Sequence, residues 1–333
     1  MNEASALVIE APAKVNLGLR IRGRRADGHH LLESLFAPLA LADRLRIALR
    51  PSGVEPGGAR FAIEVTGERA AGVPVDRSNL AVRAAEAFLD AAARPDLGVD
   101  LVLEKRVPTQ AGLGGGSSDA GAVLRALTAL LPGAVGSSRL AALALQLGAD
   151  VPYFLDPRPA LVSGIGEQIE AVAAIAPLVL LLVHPGVGLS TAAVYAAFDA
   201  LGAALTPPSP GPTVRPPEGP LAPETLARLL ENDLEPAAVR LCPALVRLRQ
   251  RIAGAGALAV GMSGSGPTLF GVFADEIAAR RAATRMGEQT EPDDGPARDG
   301  GVWARVTRTV TAPKPPVRVP LRPGASNGAS PNW

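Results

Sequence analysis

Alternation of apolar and polar residues marks the first part of the chain as a series of strands. In residues 7–22 (LVIEAPAKVNLGLRIR), apolar side chains occupy one face, while Lys14 and Asn16 occupy the other. The segment GRRADGHH at 23–30 ends this pattern with a turn. Further strands are predicted at Leu45–Leu49, Phe61–Val65 and Val99–Leu103.

Helical spacing of apolar residues first occurs from Asn79 to Ala92, with Asp76 or Ser78 as the predicted N-cap. A second helix, Ser118–Leu131, follows a run of glycines. Further helices are predicted at Ser138–Leu147, Thr191–Leu201, Pro223–Glu231 and Ala237–Ile252, and further strands at Leu178–Val183, Ala257–Val260 and Thr268–Phe273. The chain therefore mixes helices and strands along its whole length.

Three segments are too polar, or too rich in proline and glycine, for regular structure. Thr206–Pro220 (TPPSPGPTVRPPEGP) is expected to be a loop or linker, and 287–301 a charged excursion. From Thr311 onward the chain consists of Pro, Gly, Ser and Arg without an acidic residue, which is typical of a disordered tail. The folded part is therefore expected to end near residue 310.

The composition of the 333 residues excludes several classes of protein and site. Lys and Arg number 33 and Asp and Glu 32, a net charge of +1, so neither nucleic acid nor an anionic membrane is predicted as a partner. The one cysteine, Cys242, and the three histidines exclude a disulfide framework and leave little material for a zinc site. The longest apolar run, Ala171–Val183, is shorter than the about 20 residues that span a bilayer. Because Glu3 and Glu10 interrupt the N-terminus, where a signal peptide is apolar, we expect a cytoplasmic protein.

The strongest chemical signal is a glycine-rich loop that leads directly into a helix. It consists of Pro108, Thr109, Gln110, Ala111, Gly112, Leu113, Gly114, Gly115, Gly116, Ser117 and Ser118. Glycines let the backbone approach a ligand closely, and amides at a helix N-terminus bind anions, so phosphate is the predicted ligand. The loop lacks the Gly-Lys-Ser/Thr of a Walker A motif, and Ser117 stands where a dinucleotide fingerprint needs a glycine. A flexible surface turn is the alternative, but it does not explain the strand and helix that flank the loop.

A lysine and an aspartate are the candidate catalytic groups. Lys14 and Asn16 project from the same face of their strand, and the strand pattern alone favours a solvent-exposed face for both. Asp150, in LGADVPYF, either caps a turn or lies in a cleft where it accepts a proton, and the cap is the simpler interpretation. If Lys14 lies beside Asp150, the pair suits activation of a hydroxyl group.

Two weaker segments complete the candidates. Residues 261–268 (GMSGSGPT) form a second glycine-rich loop between two apolar strands, a pattern that ordinary turns share. The sequence Asp27-Gly28-His29-His30 is a turn with two imidazoles, and a surface position is the alternative for each histidine.

Taken together, these motifs resemble the GHMP family of small-molecule kinases. The similarity lies in PAKVNLGLRIRGRRADGHHLLESLF (12–36), DRSNLAVRAAEAF (76–88), EKRVPTQAGLGGGSSDAG (104–121), LGADVPYF (148–155) and MSGSGPTLFG (262–271). The family implies an α+β fold of two domains, a ribosomal S5 domain 2-like α/β domain and a ferredoxin-like α/β domain, with the active site in the interdomain cleft. We accordingly expect an N-terminal ATP-binding domain at 1–160, a C-terminal domain at 161–310 and a disordered tail at 311–333.

The resemblance also implies an activity and residue roles. PAKVNL and RADGHH are similar to the branch of the family that transfers the γ-phosphoryl group of ATP to the 2-hydroxyl of a cytidylylated methylerythritol in non-mevalonate isoprenoid biosynthesis. It implies Asp150 as the base, Lys14 as the catalytic lysine, 108–118 on the ATP phosphates, and Asn79 and Lys105 near the adenine. It places Asn16, His29, His30, Phe36 and Tyr195 on the substrate side. Mg²⁺ is expected with the ATP, and its protein ligands stay open.

One departure and two rival functions remain. The family usually has DGYH, whose tyrosine stacks on cytosine, whereas this chain has His29, which offers less surface and a titrating charge. One rival is another kinase of the family, acting on mevalonate, homoserine or a sugar. The other is a nucleotide-binding regulator without turnover, which has no need of both Lys14 and Asp150. We expect a monomer or a weak homodimer acting on a small molecule.

Overall fold

The computed structural model describes residues 5–52, 60–172, 176–202, 214, 223–288 and 301–320. The predicted linker at 206–220, apart from Val214, most of the segment 287–301, and the tail from residue 321 lie outside these described residues. The described strands form one sheet of seven strands and one of four, with helices against both, so the predicted α+β class is confirmed.

The described elements follow one another in this order. The strands are β1 (Ser5–Arg24), β2 (His30–Pro51), β3 (Phe61–Thr66), β4 (Leu97–Glu104), β5 (Ala160–Gly164), β6 (Gln168–Ala171), β7 (Val179–His184), β8 (Ala259–Met262), β9 (Leu269–Phe273), β10 (Trp303–Arg308) and β11 (Val317–Pro320). The helices are α1 (Leu80–Ala91), α2 (Gly115–Leu130), α3 (Ser137–Leu147), α4 (Thr191–Ala200), α5 (Pro223–Leu229), α6 (Glu235–Leu241), α7 (Ala244–Gly254) and α8 (Glu276–Glu288), with a 3₁₀ helix at Pro152–Leu155. Among them, no helix combines the length and apolar character needed to span a bilayer.

The larger sheet is built around the long antiparallel hairpin of β1 and β2, in the order β11-β1-β2-β4-β3, with β5 on β2 and β6 on β5. Helices α1, α2 and α3 cover one face of it, and their apolar stripes bury a core against the strands. The helix predicted from Asn79 starts one residue later because Asn79 itself is the N-cap: its Oδ1 accepts the N–H of Ala81 at 2.9 Å. The predicted caps Asp76 and Ser78 bond to each other instead.

The smaller sheet has the strand order β10-β7-β9-β8 and is antiparallel throughout. Helices α4, α6, α7 and α8 share a second core with it. The single helix predicted at Ala237–Ile252 is two helices, α6 and α7, because Pro243 has no N–H for the ladder and forces Cys242 out of the helical region (φ −138°, ψ 83°).

The chain crosses between the two sheets at several points. Strands β5 and β6 extend the larger sheet beyond the predicted boundary at residue 160, as far as Ala171. Near the C-terminus, β10 belongs to the smaller sheet, whereas β11 pairs with β1 in the larger one. The prediction of a disordered tail from Thr311 is therefore wrong for Val317–Pro320.

A third core joins the two sheets. It combines apolar side chains of β1, such as Val15 and Leu17, with Leu180 and Leu182 of β7 and Phe270 of β9, all buried. One face of β1 packs against the smaller sheet, while Lys14 and Asn16, on its other face, line a cavity whose wall also includes residues of the C-terminal half, such as Tyr195 and Gly264.

Candidate active site

The cavity lined by Lys14 and Asn16 has a volume of about 430 Å³. The predicted site residues that line it are Lys14, Asn16, Phe36, Asn79, Lys105, Pro108, Thr109, Gln110, Ala111, Gly112, Gly114, Gly115, Gly116, Ser117, Asp150 and Tyr195. Four other predicted residues, Leu113, Ser118, His29 and His30, are not part of its wall. Residues from six separate segments of the chain thus meet around one space.

Lys14 and Asp150 meet at the cavity. The Lys14 Nζ lies 3.5 Å from Asp150 Oδ2. The lysine side chain is only 4 % exposed, so it does not lie on the solvent-exposed face that the strand pattern alone favours. Asp150, between the end of α3 and the 3₁₀ helix, is 32 % exposed and meets Lys14 rather than capping a turn. The pair therefore presents a partly open carboxylate beside a buried cation.

Three further contacts fix Lys14. Its Nζ donates to Asn16 Oδ1 at 2.7 Å and lies 4.5 Å from the centre of the Phe36 ring, a cation–π distance. Its backbone N–H donates to the Leu113 carbonyl at 2.9 Å, which ties β1 to the glycine-rich loop. The position of the ammonium group is therefore set by the strand, the loop and the side chains together.

The glycine-rich loop has the backbone conformation that its glycines permit. Gly112 and Gly114 have φ values of +74° and +70°, in the left-handed region. A Cβ at Gly112 would lie 2.2 Å from the Ser263 carbonyl oxygen, so the loop packs too closely for any other residue there. Helix α2 begins at Gly115, three residues earlier than predicted, and its first N–H groups have no acceptor within the helix. Because Gly115, Gly116 and Ser117 line the cavity, the helix N-terminus faces it, a geometry that favours an anionic ligand.

We expect the substitution Gly112→Ala to lower the free energy of unfolding by about 1–3 kcal/mol, since it combines an unfavourable φ with a backbone clash. Gly116→Ala is the matched control, because Gly116 lies in a helix and a Cβ there would meet no atom within 4 Å. The thermal unfolding midpoint of each variant measures the effect. Equal midpoints for the two variants would show that the loop does not need the close contact with Ser263.

A buried ionic cluster lies beneath the loop. Lys105 Nζ hydrogen-bonds to Asp43 and, at 2.9 Å, to Asp119, and all three side chains are buried. Burial alone would lower the pKa of Lys105, but the charges of Asp119 and Asp43 raise it above its ordinary value. One lysine faces two carboxylates here, and burial raises the pKa of Asp119 to about 8.

Asp43 of this cluster also holds the start of the loop. Its Oδ1 accepts the N–H groups of Arg106 at 2.6 Å and Val107 at 2.9 Å. Sequence analysis missed Asp43, because a single aspartate in an apolar strand carries no motif. The one signal that could have indicated a charged partner for Asp43 is that the neighbouring apolar residues predict a buried strand.

Only some of the residues expected on the substrate side line the cavity. Tyr195 lines the cavity, and burial together with the charge of Asp150 raises the pKa of Tyr195 to about 12, so its phenol stays protonated at neutral pH. His30 stacks on Tyr195 with 4.9 Å between ring centres, and its Nε2 lies 2.7 Å from Asp199 Oδ1. The His29 side chain is 64 % exposed and contacts Asp27, outside the cavity.

The second glycine-rich loop packs directly on the first. Ser263 Oγ donates to the Gly112 carbonyl at 2.9 Å. Asn232, another residue that sequence analysis missed, donates from Nδ2 to the carbonyls of Met262 at 2.9 Å and Gly264 at 2.8 Å. This clamp brings Gly264 beside Lys14, so the 261–268 segment belongs to the site.

Comparisons with known proteins match most of the chain. The GHMP kinases N terminal domain matches residues 79–156, and the GHMP kinases C terminal domain matches residues 221–291. A protein of Citrifermentans bemidjiense named 4-diphosphocytidyl-2-C-methyl-D-erythritol kinase is 39 % identical over 304 residues, covering 91 % of this chain and 99 % of that protein. The chain belongs to the GHMP kinase family. Members of this family are ATP-dependent small-molecule kinases, so the predicted resemblance and enzyme class are confirmed.

Two further GHMP kinases show how far the similarity extends. A protein of Thermus thermophilus with the same name is 45 % identical over 280 residues, which cover 83 % of this chain and 91 % of that protein. A crystal structure of 4-(cytidine 5'-diphospho)-2C-methyl-D-erythritol kinase superposes with a TM-score of 0.65 at 40 % identity, covering 91 % of this chain and 99 % of the other. The two-domain GHMP kinase fold predicted from sequence is therefore confirmed.

Proposed function

We propose that this GHMP kinase transfers the γ-phosphoryl group of ATP to the 2-hydroxyl of 4-diphosphocytidyl-2-C-methyl-D-erythritol, giving the 2-phosphate and ADP in non-mevalonate isoprenoid biosynthesis. The observation that carries the proposal is the Lys14–Asp150 pair, 3.5 Å apart, in one cavity with the glycine-rich loop. The identity of the acceptor follows from relatives of that name at 39 % and 45 % identity over most of the chain.

In the proposed mechanism each of the two charged residues has one role. Asp150 accepts the proton of the acceptor hydroxyl while the hydroxyl oxygen forms a bond to the γ-phosphorus of ATP. The bond between the γ-phosphorus and the β-γ bridging oxygen breaks, and ADP is released. Lys14 donates hydrogen bonds to the transferred group and neutralises charge on it. The amides at the start of α2 hold the phosphates, and residues 108–118 surround them.

Two residues proposed near the adenine act through the shape of the site. The Asn79 side chain caps the N-terminus of α1 through its Oδ1, and its Nδ2 donates to the Pro74 carbonyl at 2.7 Å. Lys105 is held by two carboxylates below the loop. Both side chains line the cavity, so we propose that they form its nucleotide wall rather than move on binding.

We propose that Mg²⁺ accompanies the ATP. Within the described ranges, no group of three or more His, Cys, Asp and Glu side chains could hold a metal ion on its own, which fits an ion bound largely through phosphate oxygens and water. Asp119 Oδ1 is a buried oxygen without a hydrogen-bond partner near the start of α2, and with Ser117, which also lines the cavity, it would complete the ion's coordination shell. When bound, the ion would neutralise charge on the phosphates.

The proposed function is tested by coupled detection of ADP release with a panel of acceptors. ATP and the cytidylylated methylerythritol should give stoichiometric ADP and the 2-phosphate, whereas mevalonate, homoserine and sugars should give none above background. Turnover of mevalonate but not of the cytidylylated substrate would identify another kinase of the family. ATP binding without ADP release from any acceptor would identify a regulator.

The partner, the location and the oligomeric state complete the proposal. The net charge of +1 supports a small molecule rather than nucleic acid as partner. We propose that the enzyme is cytoplasmic and acts as a monomer or weak homodimer. Sedimentation at several protein concentrations measures the oligomeric state directly.

A further inference from the structure

Ser34 lies behind the cavity wall, within the family-like segment 12–36, where the sequence analysis assigns it no role. It is on β2, in register with Leu19 of β1, and is fully buried. A buried hydroxyl needs hydrogen-bond partners, and those of Ser34 lead towards the catalytic lysine.

The direction of each hydrogen bond at Ser34 is fixed by chemistry. Its Oγ lies 2.6 Å from the Gly18 carbonyl oxygen, which can only accept, so the single hydroxyl proton of Ser34 points there. The Ser34 oxygen is then free to act only as an acceptor. It accepts the Asn16 side-chain Nδ2 at 2.8 Å.

The Gly18 carbonyl is turned towards Ser34 by a local irregularity of the hairpin. The β1–β2 register shifts between Asn16 and Leu19, and Gly18 within that bulge has a φ of +94°. A Cβ at Gly18 would lie 2.2 Å from the Leu229 carbonyl oxygen, so the position requires glycine. The acceptor for Ser34 is thus built into the backbone.

The consequence appears at Asn16. Because its amide nitrogen is taken by Ser34, its Oδ1 faces Lys14 and accepts the ammonium at 2.7 Å. With the amide reversed, two N–H donors would face an ammonium group that has donors only. The other nearby hydroxyl, Ser263, is 3.4 Å from Asn16 Oδ1 and closer, at 2.9 Å, to the Gly112 carbonyl, so it does not select the orientation.

We infer that Ser34 is a positioning residue for the phosphoryl transfer: it orients the Asn16 amide, and the amide in turn orients the Lys14 ammonium beside Asp150. The kinetic consequence rests on the proposed function. The hydrogen-bond relay itself does not, and can be measured without any acceptor.

The kinetic test is a double-mutant cycle with Ser34→Ala and Asn16→Ala. In the wild-type background, Ser34→Ala should lower kcat about 10-fold, with the KM for ATP within about twofold, since a buried amide is left without its acceptor. In the Asn16→Ala background, Ser34→Ala should change kcat by less than about twofold, because Ser34 acts through Asn16. An equal loss in both backgrounds, or none in either, would overturn the inference.

The structural test is hydrogen exchange of the Asn16 side-chain amide protons, identified in ¹⁵N spectra by their absence from Asn16→Ala. Ser34→Ala should speed their exchange about 10-fold, since the restraining acceptor is gone. Unchanged exchange would overturn the inference. If the wild type fails to phosphorylate the cytidylylated acceptor, the proposed function fails while this measurement still decides the role of Ser34. Should Ser34→Ala not fold, the nearly isosteric Ser34→Cys, a weaker hydrogen-bonding group, replaces it with the same expected direction in both tests.

Discussion

Replacing Asp150 by asparagine is expected to lower kcat about 10²- to 10⁴-fold while the affinity for ATP changes by no more than about twofold. Asparagine has nearly the same shape but cannot accept the hydroxyl proton. Lys14 would keep its hydrogen bond to Asn16 and its contact with the Phe36 ring, so the cavity wall should stay in place. The loss should therefore fall on the chemical step rather than on nucleotide binding.

Coupled ADP release measures kcat of this variant, and equilibrium titration with ATP measures its affinity. Asp156→Asn is the matched control, because that aspartate lies six residues further on, is largely exposed and pairs with Arg158 instead of Lys14. Its kcat should stay near that of the wild type. Near-normal turnover of Asp150→Asn would remove the assignment of Asp150 as the base.

The glycine-rich loop shows what a sequence can establish about a site. Its function depends on backbone geometry within a few residues, and glycine is the residue that permits left-handed φ values such as those of Gly112 and Gly114. The helix that follows is equally local. For this reason the predicted start of α2 agrees with the structure to within three residues, whereas phosphate binding by the loop stays a prediction.

The pairing of Lys14 with Asp150 could not be predicted from local pattern. The two residues are separated by more than a hundred positions in the sequence. Strand alternation alone predicts that Lys14 lies on the solvent-exposed face of its strand. Lys14 is buried because other segments of the chain, among them Asp150 and Phe36, fold over that face of β1. The family resemblance supplied the pair because a motif records the outcome of such packing.

Other features were not predicted correctly because their structure or role depends on a tertiary partner rather than on local composition. The segment containing Val317 has no acidic residue and several prolines, yet it adds a strand to the edge of β1. Asp43 lies in no motif, and Ser34 has no assigned role in the segment 12–36. Their importance comes from Lys105 and Asn16, because they accept hydrogen bonds from the buried donors of those two side chains. Residues of this kind are recognisable only once their partners have been placed.

The substitution Lys14→Met is expected to lower kcat about 10²- to 10³-fold, the loss typical of removing one charged donor from a preorganised site. Methionine fills a similar volume and can pack on the Phe36 ring, so the cavity should keep its shape. What disappears is the positive charge that meets Asp150 and the transferred phosphoryl group. The KM for ATP should rise much less than kcat falls, because the substitution leaves the proposed phosphate-binding loop, residues 108–118, unchanged.

The matched control is Lys314→Met, which removes an equal charge from a side chain that is 76 % exposed and paired with Glu10. Coupled ADP release should give that control an unchanged kcat, since an exposed ion pair contributes little and lies outside the cavity wall. A comparable loss in both variants would mean that total charge matters rather than the cation beside Asp150. Asn16 and Phe36, the other neighbours of Lys14, carry no charge that could replace the ammonium group. Full activity of Lys14→Met would therefore mean that the Asp150 carboxylate and the N-terminus of α2 suffice for phosphoryl transfer.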